Sequence, residues 1–224
     1  MDCKMGFGEN MKIATFGCSW THGDVRSAKH KNWPLYLKKL MPHATIENYA
    51  VAGTSILWSV YQLQWVKKHN PADFYIFQMT RPERLTYWKD NTNWLDYRQA
   101  FYGTRMYNNY IYNAGLQIVV AQTASQKPML NAQKPAIKLA RNYFSVVNDE
   151  FMKLEYDLAV RYVKDNVDFY YMQTEAKERG YHDILCLEDE FGRAYCEKHW
   201  DQGTHFGKTG LKRTAEWVKD NAGL

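Results

Sequence analysis

Two side chains far apart in the sequence have the chemistry to act together. Ser19 lies in Gly17-Cys18-Ser19-Trp20-Thr21, directly after the short apolar run Lys12-Ile13-Ala14-Thr15-Phe16. If that run is a buried parallel strand, the hydroxyl sits at its carboxyl end, where the loops of such sheets open into a crevice. A serine hydroxyl becomes a competent nucleophile only when a neighbouring base takes its proton. His205, in Asp201-Gln202-Gly203-Thr204-His205-Phe206, is a candidate base, and Asp201 is available to orient its imidazole and stabilise the charged form. Taken singly, each residue also has a plainer reading, the serine as a turn former or helix cap and the histidine as surface decoration.

The other reactive groups rank below this pair. Cys18, beside the serine, reads as a small hydrophobe packed inward at the strand end rather than as a nucleophile. His22 is placed to hydrogen-bond within the loop or to touch substrate, and His199 is an alternative base if the Asp201 loop is oriented differently. Both also read as ordinary polar residues. Cys3, Cys18, Cys186 and Cys196 form no C-x-x-C pair, and no His, Cys and carboxylate cluster has metal-ligand spacing. No metal and no cofactor is therefore expected, and a reducing compartment fits best.

The elements that must position these groups follow from the pattern of apolar residues. After the first strand and the Ser19 loop, a helix starts near Asn32, with Pro34 in its first turn, Trp33, Leu37 and Leu40 on one face, and Pro42 at its end. Thr45-Ile46-Glu47-Asn48-Tyr49 reads as a second strand, and Ser55 caps an amphipathic helix through Ile56, Val60, Leu63 and Val66. Asp73 to Met79 is a third strand, too continuously apolar to have one wet face. Strand, helix, strand, helix, strand predicts an α/β fold, a three-layer α/β/α arrangement around a mainly parallel, flavodoxin-like sheet. Its ligand loops would follow Gly17, Asn48 and Met79.

Beyond the third strand the pattern changes. Residues 84–133 are rich in aromatic and amide side chains, among them Trp88, Trp94, Tyr97, Tyr102, Tyr107, Tyr110 and Tyr112, and read as an insertion or lid within one domain spanning 11–224. That insertion reads equally as lid packing and as a platform for sugar rings. Helical periodicity returns over about 136–178, as two helices broken near Asn166. His182-Asp183-Ile184-Leu185-Cys186-Leu187 is then the best remaining strand, and a last helix spans about 208–221, with Leu211, Ala215 and Val218 inward and Gly223 just past its end. Residues 1–10 read as a loose tail.

Composition narrows the function classes. With 224 residues, 46% of them hydrophobic, the chain can bury one substantial core. No run approaches the roughly 18–20 apolar residues of a membrane span, and the N-terminus lacks the order of a secretion signal, so a soluble, cytoplasmic protein with no membrane partner is expected. The formal charge of +5 is scattered among acidic residues, which argues against nucleic acid as a partner. Aromatic content is high at 16%, with 17 Tyr and 8 Trp, and some of those rings are expected to face a ligand or a partner.

Three blocks together resemble a known family. Gly17-Cys18-Ser19-Trp20-Thr21 is similar to the first block of SGNH (GDSL-like) hydrolases, where Gly-Asp-Ser carries the nucleophile. Asn48-Tyr49-Ala50-Val51-Ala52-Gly53 is similar to their second block, whose glycine amide helps to bind the oxyanion. Asp201 to His205, before a terminal helix, resembles the last block, where aspartate and histidine complete a triad. The order and spacing of the blocks across nearly the whole chain are more specific than any one of them.

The resemblance implies a serine esterase or deacetylase: Ser19, His205 and Asp201 as triad, the amides of Ser19 and Gly53 at the oxyanion, and an acyl ester as substrate, either a small molecule or an O-acetylated glycan. Three positions depart from the family. Cys18 replaces the aspartate before the serine, Asp201-x-x-x-His205 replaces Asp-x-x-His, and Thr80-Arg81-Pro82-Glu83-Arg84 stands where Gly-x-Asn-Asp is expected. Thr80, Gln78 or Arg84 would replace the missing asparagine, Thr80 completing the oxyanion hole and Trp20, Gln78 and Arg84 contacting substrate, while Arg84 reads equally as a surface ion pair. Thr-x-Pro-x-Arg after a Gln-containing strand resembles a divergent branch of the family associated with bacteriophage genomes. The alternative reading is a binding module for carbohydrate or protein that kept the scaffold and lost turnover.

Overall fold

A computed structural model describes residues 10–22, 32–51, 55–80, 84–86, 105–107, 149–173, 176–177, 180–200 and 206–224. In chain order these hold β1 (Lys12–Phe16), α1 (Ser19–His22), α2 (Trp33–Leu40), β2 (Thr45–Asn48), α3 (Ile56–His69), β3 (Phe74–Met79), β4 (Arg84–Thr86), β5 (Arg105–Tyr107), α4 (Asp149–Asn166), β6 (Phe169–Met172), α5 (Leu187–Phe191), α6 (Arg193–His199) and α7 (Lys208–Asn221).

Four strands form one parallel sheet in the order β2-β1-β3-β6. The register pairs Ile13 with Ile46 on one side and with Phe74 on the other, and Ile76 with Phe169. A single parallel bridge from Met172 to Cys186 continues the sheet in the fifth position. The strands thus follow the flavodoxin-like order, which reverses direction between β1 and β3. The carboxyl ends of those two strands flank the topological switch point, where such sheets bind ligands.

β1, β3 and β6 each serve two cores, because successive side chains leave a strand on opposite faces. Ile13, Phe74, Ile76, Phe169 and Tyr171 join Trp33, Leu37, Leu211, Trp217 and Val218 in one cluster, which seats α2 and α7. Ala14, Phe16, Tyr75, Phe77 and Met172 join Ile56, Leu63, Val66, Tyr156, Val160 and Val163 in the other, which seats α3 and α4. Helices therefore cover both faces of the sheet, and all six residues of β3 are buried. This is why a strand in the middle reads as an unbroken apolar run.

Helix ends follow the expected chemistry. Asn32 accepts from Leu35 N–H at the start of α2, with proline in the first turn, and Ser55 accepts from Trp58 N–H at the start of α3. In α7, Leu211, Ala215 and Val218 are buried, and Gly223 follows with φ +69°.

Three expectations are corrected. The second helix expected before residue 178 is instead strand β6: Phe169-Tyr170-Tyr171-Met172 is aromatic, nearly continuous and buried beside β3, which favours a pleated surface. His182 to Leu187 is not a full strand, because His182 and Asp183 are exposed, only Cys186 pairs, and Leu187 already begins α5. Leu40 is 40% exposed rather than inward, and Tyr36 takes its place in the core. Within the expected insertion, Arg84–Thr86 and Arg105–Tyr107 pair antiparallel. The rest of it, with most of its aromatic residues, lies outside the described residues. No helix among the described residues is long and apolar enough to cross a membrane.

Candidate active site

The site begins where β1 ends. Gly17 has φ +148°, and a Cβ there would lie 2.8 Å from Gln78 Oε1 and 2.8 Å from Thr21 Oγ1. Only glycine suits both the backbone and the close approach of β3. The chain then turns into α1, a single helical turn whose first residue is Ser19, half-buried at the edge of the sheet.

A buried polar network holds this turn. The Thr21 hydroxyl donates to Gln78 Oε1 at 2.8 Å and accepts from Trp33 Nε1 at 3.3 Å. Burial pushes the Tyr171 phenol well above its usual range, partly offset by its hydrogen bond with Thr21, so it stays protonated beside that residue. Cys18 Sγ lies 3.8 Å from both polar atoms of the Gln78 carboxamide and is 3% exposed. Cys18 is thus turned into the core, away from the surface that Ser19 occupies.

The loop after β2 is fastened to the same turn. Asn48 Nδ2 donates to the Thr21 carbonyl at 2.9 Å, while its Oδ1 accepts from Ala50 N–H at 3.0 Å. Val51 N–H donates to the Gly17 carbonyl at 3.2 Å, and His22 Nδ1 is 2.8 Å from the Ala50 carbonyl. The first and second sequence blocks are therefore joined by direct hydrogen bonds. Gly53 itself lies outside the described residues.

At the end of β3, Thr80 is 2% exposed, and its Oγ1 has no hydrogen-bond partner among the described residues. Its carbonyl accepts from the Tyr156 hydroxyl at 2.6 Å, which ties α4 to the strand end. A buried hydroxyl without a partner normally costs stability, so its position at the switch point calls for a role.

Asp201 and His205 lie outside the described residues. Their flanks are described: Trp200 and Phe206 form an antiparallel bridge, and Gly207 N–H donates to the His199 carbonyl at 2.9 Å. Phe206 is anchored against Gly210, whose hypothetical Cβ would meet the ring at 2.6 Å. The His199 ring meets Tyr195 at a tilt of 45°, with ring centroids 4.3 Å apart. Trp20 is half-buried on α1 next to Ser19. Arg84 is placed only as the first residue of β4, opposite Tyr107. Gln78 requires a correction: at 1% exposure and bonded to Thr21 it supports the serine loop and presents no surface to a substrate.

With this geometry in place, comparison with solved structures gives a consistent set. A member of the lipolytic G-D-S-L family from Veillonella parvula aligns over 94% of this chain and 97% of its own at 10% identity, with a TM-score of 0.44. A catalytic mutant of an acetylxylan esterase from Geobacillus stearothermophilus aligns over 98% and 97% at 16% identity, with a TM-score of 0.41. A family 3 carbohydrate esterase from Clostridium thermocellum aligns over 95% and 97% at 14% identity, with a TM-score of 0.42. The chain is similar in fold to SGNH-type esterases. No protein-family model and no curated protein sequence matches it.

Sequence reasoning missed the residues that support the Ser19 turn. Thr21 and Trp33 were legible only as helix and loop residues, although Thr21 lies two positions from Ser19. Tyr156 and Tyr171 carried no signal, since their roles depend on which strand and helix face each other across the fold.

Proposed function

We propose that this chain is a serine ester hydrolase of the SGNH type. The observation that carries the reading is the junction of the first two blocks: Ser19 opens the turn after β1, and the loop after β2 is bonded to that same turn through Asn48, Val51 and His22. Ser19 Oγ attacks the ester carbonyl carbon while its proton passes to His205, which Asp201 orients. The tetrahedral oxyanion is held by the amides of Ser19 and Gly53 and by the Thr80 hydroxyl. Collapse breaks the carbon–oxygen bond to the alcohol, which leaves with the proton from His205. Water, activated by the same imidazole, then releases the acid and restores Ser19.

Thr80 is the group suited to the place of the family's asparagine. Its hydroxyl is buried, lacks a protein partner among the described residues and stands at the switch point beside the serine loop. The substrate class is an acyl ester, with O-acetyl groups on a glycan as the narrower proposal, and the proposed setting is cytoplasmic.

Turnover of p-nitrophenyl acetate tests the reading. Ser19→Ala and His205→Ala should each abolish it while circular dichroism stays native; unchanged turnover in either variant contradicts the assignment. The departure from the family over residues 80–84 favours the second reading, a binding module without turnover. An inactive, folded wild type that still binds acetylated xylo-oligosaccharide in calorimetry would select it.

A further inference from the structure

The serine turn is too short to hold its own direction. α1 is closed by two backbone bonds, from Thr21 N–H and His22 N–H to the Cys18 carbonyl, at 3.0 and 2.8 Å. A single turn is unstable alone, so its orientation comes from the groups that grip it. Thr21 is gripped on the side of β3 by Gln78, and its carbonyl is held by Asn48. A further grip is the His22 ring, with Nδ1 2.8 Å from the Ala50 carbonyl. A carbonyl oxygen only accepts, so Nδ1 carries the proton and donates.

Ser19 and His22 are three residues apart on a helical turn and share one face. A force that fixes the His22 ring therefore fixes the rotation of the turn about its axis, and with it the direction of the Ser19 hydroxyl. The backbone of His22 is held separately, because Asn32 Nδ2 donates to its carbonyl at 2.9 Å. Losing the ring thus leaves the chain path anchored and removes a constraint on its rotation.

We infer that His22 is a positioning residue for the Ser19 nucleophile, acting through its Nδ1–H bond to the Ala50 carbonyl. The inference rests on the hydrolase reading above. His22 takes no part in moving the reaction's proton, and its contribution is to kcat through geometry.

The test compares p-nitrophenyl acetate kinetics and melting temperatures of the wild type, His22→Ala, His22→Asn and His22→Gln. Asparagine places its amide N–H where Nδ1 stands, whereas the glutamine amide extends to the position of Nε2. His22→Ala and His22→Gln are expected to lose kcat on the order of 10- to 100-fold, with KM within about twofold and the pH profile unchanged. His22→Asn is expected to recover kcat to within about threefold of the wild type. An alanine variant within about twofold of wild-type kcat overturns the inference, as does rescue by glutamine equal to that by asparagine, or loss of a limb of the pH profile. A wild type that neither turns over ester nor reacts with a fluorophosphonate at Ser19 sinks the hydrolase reading itself. An active wild type with an indifferent His22 sinks only the positioning role.

Discussion

The carboxamide oxygen of Gln78 accepts a 2.8 Å hydrogen bond from the Thr21 hydroxyl, across the narrow gap that Gly17 keeps open. Through this contact the buried strand β3 sets the height of the Ser19 turn above the sheet.

Thr21 should matter more to stability than Gln78. Its hydroxyl serves Gln78, the Trp33 indole N–H and the Tyr171 phenol, so Thr21→Val removes a shared partner from all three buried groups. Gln78→Met removes the acceptor of the Thr21 hydroxyl and otherwise loses only the long contacts to Cys18. With about 1–3 kcal/mol for each unsatisfied buried group, Thr21→Val is expected to be the more destabilised variant in urea denaturation. The reverse order would show that the network is not organised around Thr21.

Thr80→Val separates stability from activity. The hydroxyl it removes is buried and without a partner among the described residues, and the carbonyl bonded to Tyr156 is retained. The melting temperature should stay or rise, while kcat for ester cleavage falls about 100- to 1,000-fold, as for loss of one oxyanion donor. A variant with full activity removes Thr80 from the oxyanion site.

Thiol chemistry distinguishes serine from cysteine as nucleophile. Cys18, Cys186 and Cys196 are 3%, 5% and 2% exposed, and burial followed by the nearby Glu188 charge pushes the Cys196 thiol up to about 11. Iodoacetamide at neutral pH should leave these three thiols unmodified in the native protein and ester turnover intact. Alkylation of Cys18 with loss of turnover would reverse the assignment at this loop.

The tie between α4 and Tyr181, in the segment after β6, has a pH dependence of defined sign. Asp157 is opposed by burial, but hydrogen bonds from Lys153 and Tyr181, each 2.6 Å, outweigh it and hold the carboxyl below its ordinary value of 3.8. A depressed folded value stabilises the protein above the unfolded value, and the contribution disappears as pH falls through the folded one. Its side chain is 38% exposed, so Asp157→Asn should cost no more than about 1 kcal/mol at pH 7. The two proteins should converge in urea denaturation as pH falls through the lowered value of the folded carboxyl. A difference that persists there would assign the cost to packing.

The parts of the fold that could be read from sequence were those whose pattern is local. β1, β3 and α3 announce themselves through a continuous apolar run or a capped periodicity, and the switch point follows from their order. β6 was hidden, because Phe169-Tyr170-Tyr171-Met172 follows an 18-residue helix and its aromatic run has no period to distinguish strand from helix. Cys186 reaches the sheet by one bridge only, too brief for the apolar pattern around it to mean a strand.

For the site, the position of Ser19 and the inward packing of Cys18 were legible from their place at a strand end. The task of Gln78 was not, because it depends on the register that sets Phe77 beside Phe16 and so brings the next residue under Gly17. Asp201, His205 and Gly53 rest on the sequence blocks.

The most direct test is peptide mass spectrometry after treatment with a fluorophosphonate probe, on the wild type and on His205→Ala. The account predicts a phosphonyl adduct on Ser19 in the wild type and its loss in His205→Ala, because the hydroxyl reacts only when that imidazole takes its proton. Absence of an adduct on Ser19, or labelling of Ser19 that is indifferent to His205, would contradict it.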